Sequence, residues 1–356
     1  MSALDLSTDV VALAAAIIDV PSESHDEAKL ADLVETALAE CAHLTLVRLG
    51  NTIVARTELG RADRVLIGGH LDTVPSAGNM QHHFDGDRLY GLGACDMKGG
   101  LAIALSLAAN VCEPVRDVTY VFYECEEVAS EFNGLQKVVD SEPALLDASL
   151  VILMEPSNAG IEAGCQGTLR AEIRLSGVRS HSARSWMGVN AVHAAGEVLA
   201  RLQGYQAREP VVDGLSYHEG LNAVGIKGGI AGNVIPDECV VTVNYRFAPD
   251  RSLAQAKSHV ESVFDGFDVQ FVDEADAARP GLDRPAAAAF VEAIGVIPQP
   301  KFGWTDVARF TALGTPALNF GPGDPSIAHQ VDEWVSVEQV RNCHARLLKW
   351  LEPTAS

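Results

Sequence analysis

Leu66-Ile67-Gly68-Gly69-His70-Leu71-Asp72-Thr73-Val74-Pro75, followed by Gly91-Leu92-Gly93-Ala94-Cys95-Asp96-Met97-Lys98-Gly99-Gly100, joins an apolar run and His-x-Asp to a glycine-rich turn that carries an aspartate. An apolar, β-prone run at residues 65–67 feeds straight into His-x-Asp, which places His70 and Asp72 where a buried strand leaves its sheet. Active sites of α/β folds collect at that edge. A histidine with a carboxylate two residues on can give one ring nitrogen to a metal while the carboxylate holds the other N–H and fixes the tautomer. Asp72 is then the orienter of His70 and not a ligand. Asp96 stands on a glycine-rich turn, and the apolar run 101–109 after Gly99-Gly100 predicts a buried helix. Taken singly, Asp96 reads as a helix cap and His70 as a satisfied core histidine. The other strand ends change that reading.

Val118-Thr-Tyr-Val-Phe-Tyr123 predicts a buried strand that runs into Glu124-Cys125-Glu126-Glu127, and Leu150-Val-Ile-Leu-Met154 predicts another that runs into Glu155-Pro156-Ser157. Three apolar strands thus end in acid or in His-x-Asp, a pattern that surface charge alone does not explain. Upstream, residues 10–42 are helical in period with a break at Pro21-Ser22, and residues 45–47 and 52–56 alternate as a strand pair about Gly50-Asn51. From Gly167 the texture changes. Strands at 168–175, 222–229, 238–247 and 268–273, with helices at 190–202 and 252–264, follow the β-α-β-β-α-β order of a ferredoxin-like unit. Residues 274–285 read as a return linker, after which a helix at 286–294, a strand at 316–320, His329-Gln-Val-Asp-Glu333 and a terminal helix from Ser336 resume the first texture. The expected architecture is α/β. A mixed-sheet catalytic domain, residues 1–166 and 283–356, is interrupted by a ferredoxin-like α+β domain at 167–282.

The chain has 356 residues and a formal net charge of −22, which disfavours nucleic acid and anionic membrane surfaces as partners. No apolar run approaches ~18 uninterrupted residues, the length of a membrane-spanning helix. Residues 1–10 are acidic and lack the basic start of a signal peptide, so a cytoplasmic location is expected. Seven scattered cysteines without a Cys-x-x-Cys argue for reduced thiols and against a zinc finger or disulfide framework. Histidine and carboxylate must therefore supply any metal site. Cys95 and Cys125 read as small packing residues, and His82 and His83 as surface residues of a polar loop.

The strand-end groups are His70, Asp96, Glu126, Glu127, Glu155 and His329. Two histidines and several carboxylates suit a pair of borderline ions, zinc above all, with cobalt or manganese also fitting. One carboxylate must bridge to hold two ions ~3.5–4 Å apart, and such a pair can share and acidify a water. One of the adjacent glutamates can bind metal while its neighbour stays available as general base.

This arrangement resembles the dinuclear zinc peptidase and deacylase family that includes carboxypeptidase G2, acetylornithine deacetylase and succinyl-diaminopimelate desuccinylase. The resemblance spans essentially the whole chain. It implies that His70 and Glu155 hold one zinc, that Glu127 and His329 hold the other, and that Asp96 bridges both, with cobalt able to substitute. It implies Glu126 as the base, Asp72 as the group orienting His70, and a cis peptide at Asp96-Met97. The inserted domain looks like the family's lid and dimerisation domain. By that resemblance His181, in Gly177-Val-Arg-Ser-His181-Ser-Ala, reaches into the partner subunit's site of a homodimer and stabilises the tetrahedral oxyanion. Asn233 and Arg246 match positions that bind substrate carboxylate; without the resemblance Arg246 reads as a strand-surface ion pair and His181 as a plain residue near a helix.

Gly303-Trp-Thr-Asp-Val-Ala-Arg-Phe310 looks like the Gly-Gly-Thr-Ser-Asp-Gly-Arg-Phe loop of desuccinylases, so Thr305 and Arg309 carry over as substrate contacts. Trp304, Asp306, Val307 and Ala308 depart from that loop, and Cys165-Gln166 stands where those desuccinylases have two arginines. Residues 321–334 resemble the actinobacterial form. The expected substrate is a small N-acyl diamino acid, N-succinyl-LL-2,6-diaminopimelate, cleaved to succinate and diaminopimelate in lysine and diaminopimelate biosynthesis. Acetylornithine deacetylase or a dipeptidase of the same family is the alternative. A catalytically silent, metal-stabilised binding protein is a remoter one, against which stands Glu126 beside Glu127, since a binding role needs no base.

Overall fold

The structure, a computed structural model, describes residues 4–353; the first residues of the stretch read as lacking a signal peptide, Met1 to Ala3, lie outside the described residues, as do 354–356. The chain forms two compact units, one of Met1–Ala163, Gly281–Gln299 and Arg309–Ser356, the other of Gly164–Pro280 and Pro300–Ala308.

The first unit is built on an eight-stranded mixed sheet. Its order is Thr45–Leu49, Thr52–Arg56, Asp117–Tyr123, Arg64–His70, Leu150–Leu153, Ala317–Asn319, Glu162–Ala163 and Gln299–Pro300. Arg64–His70 runs parallel to both Asp117–Tyr123 and Leu150–Leu153, and Leu150–Leu153 runs parallel to Ala317–Asn319. Nearly every residue of these strands is buried, so both of their faces are covered. The register pairs His70 with Tyr123 and Gly68 with Leu153, so the residues after all of these strands emerge at one sheet edge.

The helix Gly99–Asn110 is buried along nearly its whole length, with Leu101, Ile103, Leu105 and Leu107 fully enclosed. Each such side chain stabilises the fold by about 1.5–3 kcal/mol. The helix starts beside the strand-end loops because Gly100 has no side chain: a Cβ there would lie 2.2 Å from the Met154 carbonyl oxygen. Gly321 answers from the other side, where a Cβ would meet the same oxygen at 2.3 Å. Two glycines thus let the backbone before Glu155 pass between the helix and the 320s loop.

The second unit has a four-stranded antiparallel sheet in the order Gly220–Gly228, Glu238–Phe247, Gly167–Ser176 and Asp268–Ala275. Burial alternates residue by residue along Gly167–Ser176 and Glu238–Phe247. The inward set (Leu169, Ala171, Ile173, Val241, Val243, Tyr245) packs with Ala191, Ala195 and Val198 of the helix Ala191–Gln203 and with Ala256 and Val260 of Leu253–Val263. The ferredoxin-like order read from period and spacing is the order found. The last strand reaches Ala275, so the return linker is shorter than its composition suggests.

Two features differ from the sequence reading. Residues 300–308 group with the second unit and not with the first, whose residues flank them in sequence. There Trp304 Nε1 donates to the Asp276 carbonyl at 3.1 Å, and the Cys165 thiol lies 3.8 Å from the Thr305 carbonyl. His83, read as a surface residue of a polar loop, opens a small hairpin at residues 83–90 that pairs with Trp334–Ser336. His83 stacks on Tyr90, while His82 Nδ1 lies 2.9 Å from Asp19.

Candidate active site

Four of the strand-end groups converge in the first unit around Asp96. His70, at the end of its strand, turns Nε2 to Asp96 Oδ1 at 3.1 Å. His329, from the loop after Ala317–Asn319, turns Nε2 to Asp96 Oδ2 at 3.5 Å and to Glu127 Oε1 at 2.8 Å. The two carboxylate oxygens of Asp96 therefore face two different histidines. His70, Asp96 and Glu127 offer donor atoms that all lie within 4.8 Å of one another. The peptide Asp96-Met97 is cis, and Asp96 makes no side-chain cap to the helix that follows. Glu155 is buried at the neighbouring strand end, and its charge acts on His70.

Asp72 has a wider role than its spacing suggests. The His70 Nδ1–H donates to the Asp72 main-chain carbonyl at 2.9 Å, with the carboxylate farther off at 3.5 Å. The carboxylate instead takes the backbone N–H groups of Glu126 and Glu127, each at 3.0 Å, and the Ser24 hydroxyl at 2.8 Å. One aspartate thus fixes the ring that faces Asp96 and the loop that carries both glutamates.

The electrostatics describe a cation site. Burial opposes a charge on His70, yet the Asp72 and Asp96 carboxylates, helped by Glu155, raise its pKa well above that of free histidine. Asp96 and Glu127 lift His329 to about 10. Burial pushes Asp96 upward, but its bonds to His329 and His70 outweigh this and hold it below the usual carboxylate range. The carboxylates thus favour positive charge at both imidazoles. Divalent ions would take over that charge, leaving neutral imidazole and ionised carboxylate as ligands.

Glu333 was not singled out from the sequence. Its buried carboxylate accepts three backbone N–H groups, from Cys95 (2.8 Å) and Asp96 (2.9 Å) on Oε1 and from Gly93 (3.1 Å) on Oε2. It lies four residues after His329, so one loop supplies a histidine and clamps the turn that aims Asp96. Position after His329 was the available signal. Its partners lie some 240 residues upstream, where spacing carries no information. Glu333→Gln should put an amide N–H₂ against one of those N–H donors, displace Asp96 and weaken metal binding by about 10–100-fold. A metal titration checks this, and unchanged affinity would show that the clamp does not position Asp96.

In the second unit the two-residue strand Ser180–His181 pairs with Val234–Ile235, and Ser182 N–H donates to the Asn233 carbonyl at 2.9 Å. His181 and Asn233, far apart in sequence, are thereby neighbours. His181 is exposed, and its Nδ1 accepts the Ala183 N–H at 3.0 Å, which leaves the hydrogen of the neutral ring on Nε2. Arg246 is half-buried on the strand Glu238–Phe247, where burial and then the neighbouring Arg170 lower its pKa. Thr305 is buried in the segment 300–308.

The profile of peptidase family M20/M25/M40 matches residues 66–352. The chain belongs to this family. Among its relatives, a Mycobacterium tuberculosis protein provisionally named as a succinyl-diaminopimelate desuccinylase is 55% identical over 340 residues, 95% of this chain and 96% of that one. The succinyl-diaminopimelate desuccinylase of Corynebacterium glutamicum is 44% identical over 359 residues, 98% of this chain and 97% of its own. In fold, the chain is similar to a Bacillus subtilis protein described as a dinuclear metal-binding peptidase of family M20, with TM-score 0.70 and 16% identity over 97% of each chain. In this M20 chain the two residues matched to the desuccinylase loop fall in different units. Arg309, in the first, donates to Gln136 Oε1 at 2.6 Å and to Ser130 Oγ at 2.8 Å.

Proposed function

We propose that this M20 chain is a di-zinc succinyl-diaminopimelate desuccinylase, hydrolysing N-succinyl-LL-2,6-diaminopimelate to succinate and LL-2,6-diaminopimelate. The observation that carries it is Asp96, whose two oxygens face His70 and His329 with Glu127 beside them. The full-length relatives that carry the desuccinylase name support the substrate.

The donor set fits a pair of zinc ions, with cobalt able to replace them: imidazole and carboxylate, no thiol, and a central carboxylate open on both sides. His70 and Glu155 would hold one ion, Glu127 and His329 the other, and Asp96 both. When bound, the pair supplies Lewis acidity toward the amide carbonyl and lowers the pKa of water. Glu126 takes the proton from the attacking water and passes it to the leaving amine. Asp72 keeps Glu126 in place through its backbone bond. His181 of a partner subunit donates from Nε2 to the oxyanion, while Asn233, Arg246, Thr305 and Arg309 bind the substrate's carboxylates. The same reading makes the protein a cytoplasmic homodimer, joined through the inserted domain. Among the described residues no helix is long and apolar enough to cross a membrane.

Metal removal tests the reading. Chelator-treated protein should release no succinate from N-succinyl-LL-2,6-diaminopimelate, and zinc or cobalt restored to about two ions per chain should recover the release. Release that survives complete removal of metal would contradict it.

A further inference from the structure

Behind the loop that carries Glu126 and Glu127 lies another group of metal-capable side chains, which the proposed reaction does not use. Glu27, Glu124 and Cys125 are all buried, and each offers a donor atom within 4.8 Å of the other two. Cys125 Sγ is 3.2 Å from Glu27 Oε1 and 3.5 Å from Nδ1 of His25. A tetrahedral ion with bonds of about 2.3 Å to sulfur and about 2.0 Å to nitrogen or oxygen separates its ligand atoms by roughly 3.3–3.6 Å. The two distances from the sulfur are close to that spacing.

A second observation points to a cation. Glu27 is fully enclosed, and while its Oε1 accepts the N–H groups of His25 and Cys125, its Oε2 is buried without a hydrogen-bond partner. An enclosed carboxylate oxygen with nothing to offset its lost hydration is costly, and a metal ion removes that cost. Lys137, whose side chain is half exposed, covers Glu124 Oε1 at 2.8 Å and can swing away to solvent as an ion arrives.

We propose that Glu27, Glu124 and Cys125, with the exposed His25 beside the sulfur, form a separate, sulfur-containing site for a borderline or soft divalent cation such as zinc, cobalt or cadmium. The thiol proton passes to solvent as the ion binds. Thiolate sets this site apart from the histidine and carboxylate cluster around Asp96 and favours softer ions.

Cobalt titration of the full-length protein, its first two metal equivalents supplied as zinc, tests this directly. The cluster around Asp96 has no sulfur donor, so a sulfur-to-cobalt charge-transfer band cannot come from it, and the cysteine variants tell which thiol gives the band. One further equivalent should bind with such a band. Cys125→Ser should abolish the band, and Cys112→Ser, at an exposed cysteine, should retain it. Glu27→Gln leaves every thiol in place and should weaken the third equivalent by at least about 10-fold. No band in the unaltered protein, a band that persists in Cys125→Ser, or unchanged affinity in Glu27→Gln would each overturn the assignment.

Discussion

Replacing Glu126 by glutamine should leave both catalytic ions bound and lower kcat by about 10²–10⁴-fold, the usual contribution of a general base. The backbone N–H groups of Glu126 and Glu127 are held alike by Asp72, at 3.0 Å each, so the roles of the two residues divide at their side chains. Glu127 turns its carboxylate to His329 at 2.8 Å and shares the donor group with His70 and Asp96. Glu127→Gln should therefore weaken one ion, whereas Glu126→Gln removes a proton acceptor and spares the ligands. Metal analysis beside kcat separates the two. If Glu126→Gln lost an ion while Glu127→Gln kept both, the roles would have to be exchanged.

His181→Ala should lower kcat by about 10²–10³-fold with metal content unchanged, because an oxyanion donor acts in the transition state and not on the ions. The Ala183 N–H on Nδ1 favours the tautomer with hydrogen on Nε2, the form such a donor needs. If the ring works in the partner's site, mixing inactive Glu126→Gln with inactive His181→Ala under conditions of subunit exchange should form heterodimers with one intact composite site. Activity should partly return. Verified heterodimers as inactive as their parents would mean that His181 does not act across the interface.

Apolar runs long enough to show a period made most of the fold legible. Residues 118–123 and 150–154 are buried on both faces and bounded by acid, and the alternation in 168–175 and 238–247 survives as alternate burial. The convergence on Asp96 was legible for the same reason: parallel strands deliver their ends to one edge, so acid at those ends must gather there. What stayed hidden has no period. Glu333 and the carboxylate of Asp72 act by accepting backbone N–H groups, which any sequence provides. The hairpin at residues 83–90 is too short to alternate, and its pairing with Trp334–Ser336 crosses most of the chain. The grouping of residues 300–308 with the second unit depends on contacts such as that of Trp304 with the Asp276 carbonyl, which local composition does not encode.

Substrate choice is measured most directly as kcat/KM of the zinc-loaded protein for N-succinyl-LL-2,6-diaminopimelate, acetylornithine and simple dipeptides side by side. A site built to pair with the carboxylates of a succinylated diamino acid should favour the first by ~10²-fold or more, since a substrate lacking one of them leaves buried polar groups unmatched. A higher kcat/KM for acetylornithine would contradict the assignment within the family, and no turnover of any amide would contradict the enzyme itself.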